Sequence, residues 1–177
     1  MKPVLAAPFA IFLALTAAFA IGLLRDPPQS PGDVARPLPA FELAGIGGTG
    51  PGFAASDLEG EVALVNVFAS WCSSCALEHP VLMELSLSGM ARLYGVAWQD
   101  TPEGTQGWLE GRGNPYRRVG DDPSGLLGLE LGVTGTPETF VIDKQGQIRR
   151  RHVGPITPEV WRTDLGPLVA QLEAEGS

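Results

Sequence analysis

The fold is decided by the stretch Val62-Ala63-Leu64-Val65-Asn66-Val67-Phe68 and by the motif Cys72-Ser73-Ser74-Cys75 that follows it. The apolar run is continuous rather than alternating, which is typical of a central strand that is covered on both faces. A helix is predicted to begin directly after the first cysteine and to span about Ser73–Leu87. This order places a Cys-x-x-Cys motif at the junction of a buried strand and a helix, inside an α/β domain.

The rest of the chain continues the alternation of strands and helices, which supports the α/β assignment. A hairpin is predicted near the end, because Asp143-Lys144-Gln145-Gly146 separates two strand-like runs. Thr157 is predicted to cap a last helix that has Pro158 at its first position. In chain order, the other predicted elements are strands at 38–43 and 93–98, a helix at 102–110, a strand at 116–119, a small helical or turn segment at 125–131, strands at 139–142 and 147–153, and a helix from 158 to about 174.

The position of the two cysteines predicts thiol chemistry. The free N–H groups and the positive dipole end at a helix N-terminus favour a thiolate, so Cys72 is predicted to be exposed and nucleophilic. Cys75 lies nearly one turn further along, where it could attack a mixed disulfide and release the partner. We therefore take Cys72 and Cys75 as the candidate catalytic pair.

Two other interpretations of the cysteines remain open. A structural disulfide across so short a loop would stabilise the fold by only about 2 kcal/mol on the chain-entropy model. A metal site is the second: His79 is four residues after Cys75, but His152 is the only other histidine, so a zinc site would be incomplete. Capture of a single Cu(I) needs only the two thiolates and is the metal-binding alternative. His79 is otherwise expected on the helix surface.

The amino terminus predicts export. Residues 4–24 are 21 residues without a charge, long enough as a helix to span a bilayer core of about 30 Å. The alternative is a cleaved signal peptide ending at Ala18-Phe19-Ala20. We predict an uncleaved anchor at residues 1–25, a Pro-rich linker at 26–37 and an exported domain at 38–177.

Composition excludes several classes of protein. The 177 residues are 44% hydrophobic and 18% charged, which fits a chain with a buried core and argues against disorder. The formal net charge of −8 argues against a nucleic-acid partner, which needs clustered Lys and Arg. The chain has only two cysteines, too few for a disulfide-stapled scaffold.

Three segments carry a resemblance to a known family: Val67-Phe68-Ala69-Ser70-Trp71-Cys72, Cys75-Ala76-Leu77-Glu78-His79-Pro80 and Gly132-Val133-Thr134-Gly135-Thr136-Pro137-Glu138-Thr139-Phe140-Val141-Ile142-Asp143. The chain resembles the thiol:disulfide interchange proteins of cytochrome c maturation, the DsbE/CcmG family. The resemblance implies a thioredoxin-like fold with a central mixed sheet flanked by helices, preceded by one N-terminal transmembrane helix.

The resemblance also implies a function. It implies a protein held in the inner (cytoplasmic) membrane by a single pass, with its catalytic domain in the periplasm. There it would reduce disulfides in apocytochrome c or its assembly chaperone and would be recharged by a transmembrane thiol-reducing electron donor. It implies no cofactor and no metal, only a redox-active disulfide between Cys72 and Cys75. The Ser73-Ser74 dipeptide departs from the proline that many members carry between the cysteines.

The same resemblance suggests residues that bind the substrate. Thr136-Pro137 resembles the cis-proline element that faces the cysteines in thioredoxin folds, where the residue before the proline exposes its backbone to an extended substrate. An ordinary trans proline before a strand is the alternative. Trp71 is expected to pack beside the active site and shield Cys75, or simply to lie in the core.

An acid is needed to carry a proton for Cys75. Thioredoxins usually have a buried Asp six residues before the first cysteine, but this chain has Asn66 there, which cannot take that role. Glu138, next to Pro137, is the first candidate, and its charge is expected near the disulfide, where it would destabilise a thiolate. Glu78, three residues after Cys75, is the second candidate, with an exposed surface charge as its alternative.

Charged residues outside this centre suggest a groove and an edge. Glu138, Asp121 and Asp122 are expected to form an acidic groove that selects clients, whereas Arg149, Arg150 and Arg151 are expected to be a solvated edge. The alternatives to cytochrome c maturation are a general exported thioredoxin-like reductase, an oxidase of substrate thiols, and a non-enzymatic thiol module that handles Cu(I) or haem.

Overall fold

The computed structural model describes residues 12, 16, 36–47 and 49–175. The strands among these residues are β1 (Arg36–Pro37), β2 (Glu42–Leu43), β3 (Phe53–Ala54), β4 (Ala63–Phe68), β5 (Leu93–Trp98), β6 (Arg118–Asp122), β7 (Glu138–Ile142) and β8 (Gln147–Val153). Six of them form a mixed sheet with the strand order β1-β8-β7-β4-β5-β6, and β2 pairs with β3 in a separate two-stranded sheet.

Helices follow the strands at the positions that the local sequence favours. The long helix α1 (Ser73–Leu87) follows β4, α2 (Pro102–Arg112) follows β5 and α3 (Leu126–Leu131) follows β6. Thr101 caps α2 because its side chain accepts a hydrogen bond from the Gly104 amide. A short 3₁₀ helix spans Ala55–Leu58.

The C-terminal helix is interrupted by a π-helical turn. It begins as an α-helix at Pro158–Val160, continues as a π-helix over Trp161–Leu165 and returns to α-helix at Gly166–Ala174. Thr157 caps it as predicted, accepting a hydrogen bond from the Val160 amide. The amide of Gly166 donates to the carbonyl of Trp161, five residues back, and Pro167 has no N–H to restore the α-helical pattern.

The central strand β4 explains the continuous apolar run, because all six of its residues are buried. It is parallel to β5 and antiparallel to β7. Successive side chains of a strand point to opposite faces, so Leu64 and Phe68 join one core together with both cysteines. Val65 and Val67 join a second core on the other face, together with Phe140 of β7.

The central elements match the sequence-based predictions, whereas the segment before them does not. The predicted strand at 38–43 is wrong over most of its length, since only Glu42–Leu43 is a strand there. Pro39 lacks the N–H group that a longer ladder would need. The strand predicted at 116–119 is β6, which begins at Arg118 and not at Tyr116. Tyr116 packs in the hydrophobic core instead.

Among residues 12, 16, 36–47 and 49–175, no helix is both long and apolar enough to cross a membrane. Apart from residues 12 and 16, the predicted anchor at 1–25 lies outside the described residues, as does most of the linker at 26–37, so both stay predictions.

Candidate active site

Cys72 and Cys75 form a disulfide at the start of α1, with 5.3 Å between their Cα atoms. The chain leaves β4 at Phe68 and turns sharply, with the Cys72 amide donating to the carbonyl of Ala69. Cys72 is the N-cap of α1, and its Sγ accepts a hydrogen bond of 3.0 Å from the Cys75 amide. A thiolate on Cys72 would therefore meet both a donor and the positive end of the helix dipole.

The two sulfurs differ in access to solvent. Cys72 keeps 7% of its surface exposed, whereas Cys75 keeps 1%. The more accessible sulfur is thus also the one at the helix N-terminus. Cys72 is nevertheless buried, which corrects the expectation that it is exposed. The division into an attacking Cys72 and a resolving Cys75 stays a prediction.

The turn that presents Cys72 is clamped by Asp100, which follows β5. The Asp100 carboxylate accepts hydrogen bonds from the Ser70 amide at 2.6 Å and from the Ser70 hydroxyl at 2.8 Å. It also accepts one from the Thr105 hydroxyl of α2 at 2.9 Å. Because a carboxylate is a strong acceptor, Asp100 fixes the backbone two residues before the attacking cysteine.

Trp71 lies at the surface beside the cysteines. It is 59% exposed, so the alternative that it belongs to the core is wrong. Its indole Nε1 donates to the carbonyl of Gln99 at 3.1 Å, and its ring centroid is 6.4 Å from that of Trp98. This contact holds the exposed ring in place next to Cys72.

The predicted cis peptide bond is confirmed between Thr136 and Pro137. Glu138 pairs with Val67 across β7 and β4, so the residues just before β7 lie at the end of the sheet where β4 leads to Cys72. The carbonyl of Pro137 accepts a hydrogen bond from the Gly154 amide. The backbone N–H and C=O of Thr136 have no hydrogen-bond partner within the described part of the chain.

Glu78 is buried under the first turns of α1, and the surface alternative is wrong. Its Oε1 accepts a hydrogen bond of 2.9 Å from the Asn66 side chain, and its Oε2 accepts one of 2.8 Å from the Ile156 amide. Asn66 also donates to the Thr139 hydroxyl and accepts from the Tyr116 hydroxyl at 2.7 Å. Residues three apart on a helix share a face, so Glu78 lies on the same side of α1 as Cys75.

Burial sets the acidity of this network. It raises the pKa of Glu78 from 4.5 to about 7, against the lowering effect of the bonds from Ile156 and Asn66. Burial, together with the nearby Glu78 carboxylate, raises the pKa of Tyr116 well above its ordinary value. Glu78 is therefore the group of this network that can exchange a proton near neutral pH.

Glu138 is buried too, but it faces away from α1, which corrects the expectation that its charge lies near the disulfide. Its neighbours at alternate positions, Phe140 and Ile142, belong to the core on the opposite side of the sheet from α1. Burial raises the pKa of Glu138, but hydrogen bonds from Arg151 and Thr134 outweigh it and hold the pKa below the ordinary value. Glu138 therefore stays ionised and cannot serve as the proton carrier.

His79 is not on the helix surface as expected, but is 4% exposed. Its ring stands edge-on to Trp108 of α2, with 4.5 Å between the ring centroids, and Nε2 contacts the carbonyl of Gly113 at 3.1 Å. Burial lowers the pKa of His79. Among residues 36–47 and 49–175, no three His, Cys, Asp or Glu side chains are grouped so that they could hold a metal ion.

The expected acidic groove and solvated edge are found only in part, since Asp121 and Asp122 line one pocket beside α3 but Glu138 does not. The Asp122 carboxylate is buried and accepts hydrogen bonds from the Leu127 and Gly128 amides at the start of α3. Glu138 is neutralised by Arg151. Arg149 pairs with Asp143 and Glu175, and Arg150 pairs with Asp164.

Sequence reasoning missed three residues that complete the site. The sequence predicts a strand at Tyr116, no motif distinguishes Asp100, and the Ile156 amide has no side-chain signature. The absence of an Asp at position 66 was the one available signal, because an Asn in a buried strand must bond to other polar groups.

Comparisons with known proteins agree with this site. The Redoxin family model matches residues 33–166. The thiol:disulfide interchange protein DsbE of Pseudomonas aeruginosa is 41% identical over 97% of this chain and 95% of its own length. The thiol:disulfide interchange protein HelX of Rhodobacter capsulatus is 40% identical, over 96% of this chain and 97% of its own.

A crystal structure of a thiol:disulfide interchange protein of the thioredoxin family from Chlorobium tepidum shares the fold. It superposes with a TM-score of 0.64 at 26% identity and covers 78% of this chain and 97% of its own. A family match over most of the chain, relatives at about 40% identity over nearly its full length and a Cys-x-x-Cys disulfide at the start of a helix lead to one conclusion. The chain belongs to the DsbE/CcmG family of thiol:disulfide interchange proteins and is a thiol:disulfide oxidoreductase with a thioredoxin-like fold.

Proposed function

We propose that this protein is a reductant in cytochrome c maturation that opens disulfides in apocytochrome c or its assembly chaperone. The observation that carries the proposal is the near full-length similarity to DsbE and HelX, together with the disulfide at the start of α1. The catalytic domain would work in the periplasm, anchored to the inner membrane by residues 1–25.

The proposed reaction starts from the dithiol form. The Cys72 thiolate attacks one sulfur of the client disulfide, so that the client S–S bond breaks and a mixed disulfide forms while the second client sulfur leaves as a thiolate. The Cys75 thiolate then attacks Sγ of Cys72. This closes the Cys72–Cys75 disulfide and releases the client as a dithiol. Two electrons and two protons pass from the protein to the client.

Glu78 is the proposed proton carrier for the second half of the reaction. Cys75 is buried, so its thiol needs a nearby base before it can attack. With a pKa of about 7, Glu78 can accept that proton at neutral pH and return it when the protein is recharged. Asn66 and the Ile156 amide hold the carboxylate in place during this exchange.

Client binding is proposed for the surface around Cys72. The unpaired backbone of Thr136 could bond to an extended client segment, in the way that a strand adds to a sheet edge. The exposed ring of Trp71, fixed by Gln99, offers an apolar contact on the other side. Together these would hold the client disulfide in line with the attacking sulfur.

A protein that works as a reductant in an oxidising compartment needs a partner that reduces its own disulfide after each turnover. We propose a transmembrane thiol-reducing donor, because a soluble pool of reductant is not maintained there. A membrane anchor would raise the effective concentration of the domain at a membrane-bound assembly machine. No cofactor besides the disulfide is proposed.

The test is deletion of the gene in its native host, followed by measurement of c-type cytochromes with and without an added thiol reductant. The proposal predicts loss of c-type cytochromes, recovery on adding the reductant, and complementation by the native protein but not by Cys72→Ser. Normal cytochrome levels in a strain without a second homologue would leave a general exported reductase as the function. A measured reduction potential distinguishes both reductase functions from an oxidase of substrate thiols. Metal content after anaerobic purification tests the alternative of a non-enzymatic thiol module that binds Cu(I) or haem.

A further inference from the structure

Three consecutive arginines on β8 pair with carboxylates in three different places. Arg149 and Arg150 bind acids of the hairpin and the C-terminal helix, Asp143 and Asp164. Of the three arginines, only Arg151 binds Glu138, the first residue of β7, which in turn binds the segment before that strand. Its Nε donates to Oε2 of Glu138 at 2.8 Å and its Nη2 donates to Oε1 at 3.0 Å. This is the bidentate geometry that binds a guanidinium most firmly to a carboxylate.

The Glu138 carboxylate also holds the residues that precede it in the chain. Its Oε1 also accepts hydrogen bonds from the amide and the hydroxyl of Thr134, both at 2.8 Å, and from the Gly135 amide at 3.3 Å. The Arg151 Nη2 lies 3.4 Å from the same Thr134 hydroxyl. A single buried carboxylate thus binds two successive backbone amides of the segment, and Arg151 supplies the charge that balances it.

The constrained segment surrounds Thr136. Thr134 and Gly135 are held on one side by Glu138, and the Pro137 carbonyl is held on the other by the Gly154 amide. Thr136 lies between these anchors with its own backbone groups unpaired within the described residues. An unpaired backbone that is fixed on both sides is pre-organised to bind an extended chain, because little conformational freedom is lost on binding.

We infer that Arg151 is a positioning residue for thiol–disulfide exchange, which acts through Glu138 to fix Thr134–Pro137 in the form that binds the client backbone. The inference rests on the proposed function only in taking Thr136 as the client contact. It assigns Arg151 and Glu138 to substrate binding and leaves the acidity of the cysteines to other groups.

The test compares the native protein with Arg151→Gln and Arg151→Lys, using Arg149→Gln as the matched control. Each protein is reduced beforehand and mixed with excess disulfide substrate in single-turnover reactions. One substrate is a disulfide peptide with a Cys-Ala-Ala-Cys-His motif and extended flanks, since Cys-x-x-Cys-His is the c-type haem attachment motif. The second is the same peptide without the histidine, and the third is a dipyridyl disulfide that has no backbone to pair.

For Arg151→Gln we expect the half-saturating peptide concentration to rise about tenfold, with the limiting rate and the dipyridyl rate changed less than about twofold. The reduction potential should not change. The half-saturating peptide concentration of Arg151→Lys should lie between those of Arg151→Gln and the native protein, because lysine keeps the charge but cannot make the bidentate contact. Arg149→Gln should behave as the native protein. An equal loss with all three substrates, or no loss with either peptide, would overturn the inference.

Thr134→Val keeps the test decisive if Arg151→Gln fails to fold. Thr134 is exposed, so this variant removes one bond to Glu138 without unbalancing a buried charge. It should show the same selective rise in half-saturating peptide concentration, about threefold, and unchanged binding would contradict the inference. Failure of the proposed function is distinguishable, because it would appear as normal c-type cytochrome levels in the deletion strain and not in the peptide kinetics.

Discussion

Nδ2 of Asn66 lies 2.9 Å from Oε1 of Glu78 and donates a hydrogen bond to it. The acid that we propose as the proton carrier is therefore on the helix that bears the cysteines, and the central strand contributes a neutral amide that holds it. The Tyr116 hydroxyl bonds to the other end of the same amide and fixes its orientation. The pair explains how a thioredoxin fold can lack an Asp in β4 and still keep a buried titratable carboxylate on the side of α1 that bears Cys75.

The ionisation of Glu78 should be visible in stability. Its pKa is about 7 in the folded state and near 4.5 when unfolded, so the folded protein binds the extra proton between these values. The free energy of unfolding of the oxidised protein should therefore fall as pH rises from 4.5 to 7. In Glu78→Gln this decrease should be smaller by about 3 kcal/mol. Urea titrations of both proteins at pH 4 and pH 8 measure the difference; parallel pH profiles would contradict it.

Cys72 should be alkylated before Cys75 in the reduced protein. The helix dipole and the Cys75 amide favour a thiolate on Cys72, and Cys75 is less accessible. At neutral pH we expect labelling of Cys72 by iodoacetamide to be at least about tenfold faster, followed by peptide mass spectrometry. Equal labelling in denaturant provides the control, and faster labelling of Cys75 in the native state would reverse the assignment.

Replacing Glu138 by Gln should change stability and not thiol acidity. The carboxylate faces away from α1 and is balanced by Arg151, so its removal should shift the thiol pKa of Cys72 by less than about 0.3. The variant leaves the Arg151 guanidinium without its partner, which should lower the free energy of unfolding by about 2 kcal/mol. Thiolate absorbance against pH and chemical denaturation measure the two effects. A clear fall in the thiol pKa with unchanged stability would restore Glu138 as an electrostatic modulator of the cysteines.

The hydrogen bonds from Ser70 to Asp100 should slow hydrogen exchange in the turn before Cys72. Asp100→Ala removes the acceptor for the Ser70 amide and hydroxyl, and should destabilise the protein by about 2 kcal/mol. Hydrogen exchange of the amides at 70–72 should accelerate by at least about tenfold. Glu59→Ala, at an exposed turn, is the control. Unchanged exchange in this turn would show that Asp100 does not fix the approach to Cys72.

The elements nearest the cysteines could be predicted because their signals are local. The apolar run of β4 and the Cys-x-x-Cys motif at the start of α1 are contiguous in sequence. Burial of His79 could not be predicted in this way, because it depends on Trp108 of α2, which comes from elsewhere in the chain. The bond between Tyr116 and Asn66 joins residues fifty positions apart and leaves no local pattern.

Glu138 shows a different limit of sequence reasoning. Its neighbour Pro137 lies at the end of the sheet near the cysteines, and adjacency suggested that the carboxylate does too. Side chains alternate along a strand, however, so a displacement of one residue moves a group to the opposite face. The alternation of Glu138 with Phe140 and Ile142 predicts that all three side chains lie on one face of the sheet. Which face this is follows only from the pairing of β7 with β4 in the structure.

The central claim, that Cys72 reduces a disulfide of the cytochrome c assembly pathway, is tested most directly by covalent trapping. Cys75→Ala leaves the mixed disulfide unresolved, so the client should stay attached to Cys72 when the variant is expressed in its native host. We expect mass spectrometry of non-reduced complexes to identify apocytochrome c or its assembly chaperone, through a cysteine of that protein, and to find neither with Cys72→Ala/Cys75→Ala. Capture of many unrelated exported proteins, with no cytochrome c or assembly component among them, would contradict the account.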